Sequence, residues 1–124
     1  MKQKQPIRIL IADDHPIVRA GLAAMLEIDP KANITVVGQA NNGCEAVELF
    51  SQLQPDIALI DLQMPQMDGV AAIATIRKQF PTAHLIVLTT YDRDEDIYRG
   101  LQAGAKAYLL KDTPREELLA CIQA

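Results

Sequence analysis

Tryptophan is absent from this 124-residue chain, and aromatic residues make up only 4% of it. Its core must therefore be built from Ile, Leu, Val and Ala, as in layered folds whose parallel strands are covered on both faces. Cysteine is scarce too: Cys44 and Cys121 have neither metal-site nor redox-pair spacing, which fits a reducing compartment. Both are expected to be buried or half-buried on helices covering opposite faces of a sheet, where they cannot be bridged. No apolar run approaches the roughly 20 residues a membrane span requires. The two lysines of the N-terminal MKQKQP have no apolar region behind them, so neither membrane insertion nor a secretory leader is indicated and a cytoplasmic location is expected. There is no basic stripe: Arg19, Arg77, Arg99 and Arg115 are scattered and the net charge is −4, which argues against phosphate-backbone binding by these residues.

What the chain does have is a stretch around which the rest is organised, DIALIDLQMPQMDG from Asp56 to Gly69. Ile57 to Ile60 is apolar without alternation, the pattern of a strand buried on both faces, and it ends in the carboxylate Asp61. Pro65, Asp68 and Gly69 make the following segment a loop, placing Asp61 where a parallel α/β sheet binds ligands. Asp13 and Asp14 close the earlier apolar run Ile7 to Ala12 in the same way. Three carboxylates at neighbouring strand ends repel one another. A hard divalent cation relieves this, and a few oxygen ligands completed by water suit Mg2+, or another divalent cation such as Mn2+.

Five apolar strands alternate with five helical segments along the chain. The strands are expected at Ile7–Asp13, Ile34–Val37, the Asp61 segment, Leu85–Leu88 and Tyr108–Leu110. The first helix opens at His15-Pro16 and should turn Ile17, Val18, Gly21, Leu22 and Met25 toward the sheet. The second follows Asn41-Asn42-Gly43 with Ala46, Leu49, Phe50 and Leu53 inward, and the third carries Val70, Ile73, Ile76 and Phe80. Asp92 and Glu95 have capping-box spacing for a fourth helix with Ile97, Leu101 and Gly104 inward. Thr113, Pro114 and Glu116 open a fifth containing Leu118, Leu119 and Ile122. This alternation predicts a single α/β domain, a doubly wound, flavodoxin-like five-stranded parallel sheet of order 2-1-3-4-5 with helices on both faces. Such an order gathers Asp13, Asp14, Asp61, Thr89 and Lys111 at one sheet edge.

The chemistry open to that set is narrow. A carboxylate screened by a metal can attack phosphorus to give an aspartyl phosphate, and Asp61 is the candidate nucleophile. Phosphoryl transfer is catalysed mainly by positioning and charge stabilisation, for which Lys111 supplies an ammonium and Thr89 a hydroxyl donor. No Gly-rich nucleotide loop exists, so the donor must be another protein or a small acyl phosphate.

The acid pair Asp13-Asp14, DLQMPQMDG around Asp61, Thr89, and the run GAKAYLLKD with Tyr108 and Lys111 closely resemble the receiver domain of two-component response regulators, over nearly the whole chain. The resemblance implies a single receiver domain over 1–124 whose Asp61 is phosphorylated by a sensor histidine kinase. It implies Mg2+ held by Asp14, Asp61 and the Gln63 main-chain carbonyl, with Asp13 acting through water, and Lys111 contacting the phosphoryl group. Thr89 and Tyr108 would form the switch, Gln63 and Tyr91 would tune the lifetime of the phosphoaspartate, and phosphorylation would favour a homodimer. LTTYDRDEDIYRGLQAGAKAYLLKDTPREEL is most similar to NarL/FixJ regulators that carry a LuxR-type helix-turn-helix, so DNA would be bound only through a further C-terminal domain. The end at Ala124, about three turns into the last helix, fits a receiver taken from a longer regulator. One position departs from the pattern: Asp112 stands where receivers commonly have Pro after the lysine.

Other classes fit less well. A haloacid-dehalogenase-type phosphatase needs a second Asp two residues after its nucleophile, where this chain has Gln63, so turnover is not expected. A flavodoxin-like cofactor binder needs a phosphate loop where Asp13-Asp14-His15 stands. A stand-alone or pseudo-receiver docking module without phosphotransfer is the remaining alternative, though such modules usually lack a key acid. His15 and His84 lack metal-ligand spacing and are expected on the solvent side. Gly100 and Gly104 suggest close packing.

Overall fold

The computed structural model describes residues 5–89 and 94–123. Five strands, β1 (Ile7–Ala12), β2 (Ile34–Ala40), β3 (Ile57–Asp61), β4 (Leu85–Thr89) and β5 (Ala107–Leu110), alternate with five helices. These are α1 (Pro16–Glu27), α2 (Gly43–Leu53), α3 (Gly69–Gln79), α4 (Asp94–Ala103) and α5 (Arg115–Gln123), with a 3₁₀ turn at Pro30–Ala32. All strand pairs are parallel and their order is β2-β1-β3-β4-β5, as the alternation predicted.

Strand side chains point alternately to the two faces, which creates two cores. Leu10, Ala12, Ala58, Ile60, Leu85 and Val87 pack with Ala46 and Phe50 of α2 and Ile73 and Ile76 of α3. Ile9, Ile11, Leu59, Ile86 and Leu88 pack with Leu22, Ala23 and Leu26 of α1 and Leu118 and Ile122 of α5. Each fully buried Leu or Ile contributes about 1.5–3 kcal/mol from apolar burial, so the two faces together dominate the fold's stability. Among the described residues no helix is long and apolar enough to cross a membrane.

Several local expectations change. The inward face of α1 is Leu22, Ala23 and Leu26, whereas Ile17 is 88% exposed and Val18 and Gly21 are also exposed. The first turn of α1 stands above the strand ends, where there is no sheet to cover. β2 runs three residues beyond Val37, accommodated by a register shift in which Ile9 pairs with Val36 and Leu10 with Gly38. In α4, Ile97 and Gly100 are buried while Leu101 is exposed, and Gly104 lies past the helix end at φ 129, a left-handed terminator. A Cβ on Gly100 would fall 2.6 Å from the Val87 side chain, so this glycine sets how closely α4 lies on β4. Cys44 is exposed, not half-buried, because it sits in the first turn of α2 on the side away from Ala46; Cys121 is half-buried on α5, across the sheet. Helix α5 begins at Arg115, one residue later than Pro114 predicted. Asp92, and with it the capping box to Glu95, lies outside the described residues.

Candidate functional site

Strand register brings the polar residues level. Ala12 pairs with Ile60, so Asp13 and Asp61 leave adjacent strands together; Thr89 pairs with Leu110, so Lys111 follows beside it. Asp13 is fully buried and Asp61 is 4% exposed. Lys111 Nζ lies 2.8 Å from Asp13 Oδ2 and donates to Asp61 Oδ2 at 2.9 Å. Asp61 Oδ1 accepts the Gln63 N–H at 3.2 Å, and Asp13 Oδ1 accepts the His15 N–H at 2.8 Å. Asp14 Oδ1 is buried yet accepts no hydrogen bond; its neighbour is His15 Nδ1 at 3.1 Å.

Burial pushes the Asp61 carboxyl above the ordinary carboxylate range, and the Asp13 carboxylate adds to this, while the Lys111 and Gln63 hydrogen bonds oppose it. For Lys111 burial acts to lower the pKa, but hydrogen bonding and charge from Asp13 and Asp61 outweigh it and hold the ammonium above its usual value. Three carboxylates thus face one ammonium. Oxygens of Asp13, Asp14 and Asp61 and a nitrogen of His15 all lie within 4.8 Å of one another. That donor set, with a buried carboxylate oxygen lacking any hydrogen bond, fits a hard divalent cation.

The loop after Asp61 is held by backbone geometry. The Gly69 N–H donates to Leu62 O at 2.9 Å, and a Cβ on Gly69 would fall 2.1 Å from the Asp61 carbonyl oxygen, so only glycine permits this closure. Within the loop Met67 N–H donates to Pro65 O at 2.7 Å across Gln66, whose φ is 67. Asp68 then caps α3 by accepting the Ala71 N–H. Gln63 is exposed and lines a cavity of about 440 Å³ with Asp14, Leu62, Met64, Asp68 and Arg99.

Thr89 is buried at the end of β4, where its carbonyl accepts the Lys111 N–H at 2.9 Å, and Tyr108 is 43% exposed on β5. Beyond Lys111 the chain turns at once, the Thr113 N–H donating to Leu110 O at 3.0 Å, with Asp112 exposed in the turn. Tyr91 lies outside the described residues. The sequence reading missed His15: it is exposed as expected, yet its ring joins the acid cluster, and the available signal was its adjacency to Asp13-Asp14. His84 is exposed before β4, at the other end of that strand from Thr89, with its Nδ1 3.4 Å from Lys106 Nζ.

Residues 9–123 match the response regulator receiver domain family. The chain belongs to that family. This receiver is 48% identical over 113 residues to YhcZ, a transcriptional regulatory protein of Bacillus subtilis (strain 168), covering 91% of this chain and 52% of the relative. It is 38% identical over 122 residues to the nitrate/nitrite response regulator protein NarL of Escherichia coli (strain K12), covering 98% of this chain and 56% of the relative. A solved LuxR-family two-component response regulator from Aurantimonas sp. SI85-9A1 superposes with a TM-score of 0.88 at 32% identity, covering 96% of this chain and 84% of that one. The receiver spans about half the length of the curated relatives it matches. It is a signalling domain of the NarL/LuxR type rather than a turnover enzyme, and its acidic pocket is compatible with a divalent cation.

Proposed function

We propose that Asp61 is the phosphoacceptor of this receiver and that a sensor histidine kinase supplies the phosphoryl group. One observation carries the reading: a single ammonium, Lys111, bridges the buried carboxylates of Asp13 and Asp61, while Asp14 Oδ1 beside them is buried without a hydrogen bond. Asp14, Asp61 and the Gln63 main-chain carbonyl would hold Mg2+, with Asp13 acting through water. When bound, the cation supplies positive charge that screens the approach of an anionic phosphoryl group to an anionic nucleophile. An Asp61 oxygen attacks phosphorus; the P–O bond forms as the P–N bond of the donor phosphohistidine breaks, and the imidazole leaves and takes a proton from solvent. Lys111 keeps its charge in this setting and stabilises the transferring group, and the same residues later assist hydrolysis.

Thr89 would then close over the phosphoryl group, with Tyr108 following, shifting the balance between two states of the surface formed by α4, β5 and α5. Gln63 and Tyr91 would set how long the phosphoaspartate lasts. The relatives' greater length and the names of several as transcriptional regulatory proteins support a longer protein in which a C-terminal helix-turn-helix binds DNA. Phosphorylation would favour a homodimer of it. Intact mass after incubation with a small acyl phosphate and Mg2+ tests the core of this. A gain of one phosphate is expected, absent in Asp61→Asn and without metal; unchanged wild-type mass would favour a docking module.

A further inference from the structure

Arg19 is the one basic side chain of α1, and the phosphoacceptor chemistry leaves it unused. It is half-buried, and its guanidinium reaches across the top of β1 and β2. One terminal nitrogen, Nη1, donates to the Asp13 carbonyl at 2.7 Å and to Asn41 Oδ1 at 2.6 Å, with the Ala40 carbonyl at 3.4 Å. Its Nε donates to Gln39 Oε1 at 3.1 Å. The Ala40 carbonyl also accepts the Asp13 N–H at 3.0 Å, so the Asp13 N–H is tied directly to the end of the edge strand and the Asp13 carbonyl is tied to it through Arg19. Asn41 is fixed in turn: its N–H donates to Glu45 Oε1 at 2.7 Å, and Asn42 caps α2 by accepting the Glu45 N–H at 2.8 Å.

We infer that Arg19 is a positioning residue that braces the Asp13–Asp14 loop against the β2–α2 turn and so sets the geometry in which the acids receive a divalent cation. The inference rests on the proposed cation site. A planar fork with several fixed donors suits this task, whereas an ammonium is a point charge with other geometry. Groups that orient metal ligands from behind typically change metal affinity 10–100-fold when removed. The sign separates this role from a bland one. A guanidinium near a cation site repels the cation, so if Arg19 were only a surface charge its removal would tighten binding.

The test is Mn2+ affinity, read by electron paramagnetic resonance titration of free Mn2+, in the wild type, Arg19→Met, Arg19→Lys and Asn41→Ala. A 10–100-fold loss is expected in Arg19→Met, only partial recovery in Arg19→Lys, and a smaller loss in Asn41→Ala, which keeps the fold testable if Arg19→Met folds poorly. Unchanged or tighter binding in folded Arg19→Met, or full recovery with Lys, overturns the brace. A wild type that binds no Mn2+ would instead sink the cation site. The brace then still has its own readout, since exchange of the Asp13 amide in metal-free protein is expected to accelerate in Arg19→Met and would be unchanged if Arg19 held nothing.

Discussion

The two edges of this sheet handle polar groups in opposite ways. At the amino-terminal edge Asp56 accepts the Arg8 N–H at 2.8 Å and returns its own N–H to the Arg8 carbonyl at the same distance. Nearby, Arg77 donates to the carbonyls of Gly104 and Pro81, closing the ends of α3 and α4. Asp56 is exposed, with its main-chain N–H and one carboxylate oxygen both paired to Arg8. At the carboxyl-terminal edge Asp13 and Asp61 are buried and crowded with one lysine between them, and Asp14 Oδ1 beside them is buried without a hydrogen bond. Repulsion that would be relieved by water or a local donor elsewhere is retained here, in an arrangement compatible with a divalent cation. The amino-terminal edge is built for stability; the opposite edge gives some of it up.

That contrast can be broken or sharpened by substitution. The largest effect is expected from Gly69→Ala, whose Cβ would meet the Asp61 carbonyl and the Leu62 Cα, both backbone atoms that cannot move independently of β3. A loss of about 3 kcal/mol in urea unfolding is expected, and a loss below 1 kcal/mol would show that the loop relaxes freely. Next comes metal-free Asp61→Asn, expected to be more stable than wild type by roughly 1 kcal/mol at neutral pH because a buried carboxylate is replaced by an isosteric neutral group. The pH dependence follows from the raised Asp61 pKa: protonation favours the folded state, so this group's stabilising contribution is present at acid pH and lost as pH rises through its folded value. The wild-type-minus-Asn difference should therefore shrink on acidification, and a constant difference would rule out the carboxylate as its source. The smallest effect belongs to the other edge, where Asp56→Asn retains an acceptor for Arg8 and should shift stability by no more than about 0.5 kcal/mol. A larger shift would erase the distinction between the edges.

Much of this was legible in the sequence because strand order and strand ends are one-dimensional signals. Apolar runs closed by Asp13, Asp61, Thr89 and Lys111 specify which side chains share an edge once the strands lie parallel, and the register bears this out. What stayed hidden depends on rotation and reach. Helix α1 is apolar nearly all round, so periodicity does not phase it and does not distinguish exposed Ile17 from the buried Leu22, Ala23 and Leu26. For Leu101 the cause is different: α4 is largely polar, and Gly100 carries no hydrophobic signal although it is buried and a Cβ on it would meet the Val87 side chain. His15 was passed over because ligand-spacing templates look for partners one helical turn away, not for neighbours in a bend. Arg19 reads as one scattered cation among several, because a guanidinium's reach to three consecutive residues, Gln39, Ala40 and Asn41, at another strand end leaves no local pattern.

The two cysteines differ in a way that is useful at the bench. Cys44 is exposed in the first turn of α2, where the neighbouring Gly43 is pressed against Met67 of the loop after Asp61, while Cys121 is half-buried with its thiol pushed up by burial. A thiol-directed fluorophore or spin label will therefore attach first at Cys44, a native reporter position beside the carboxyl-terminal edge, in a 124-residue chain whose tryptophan-free background adds no competing indole emission.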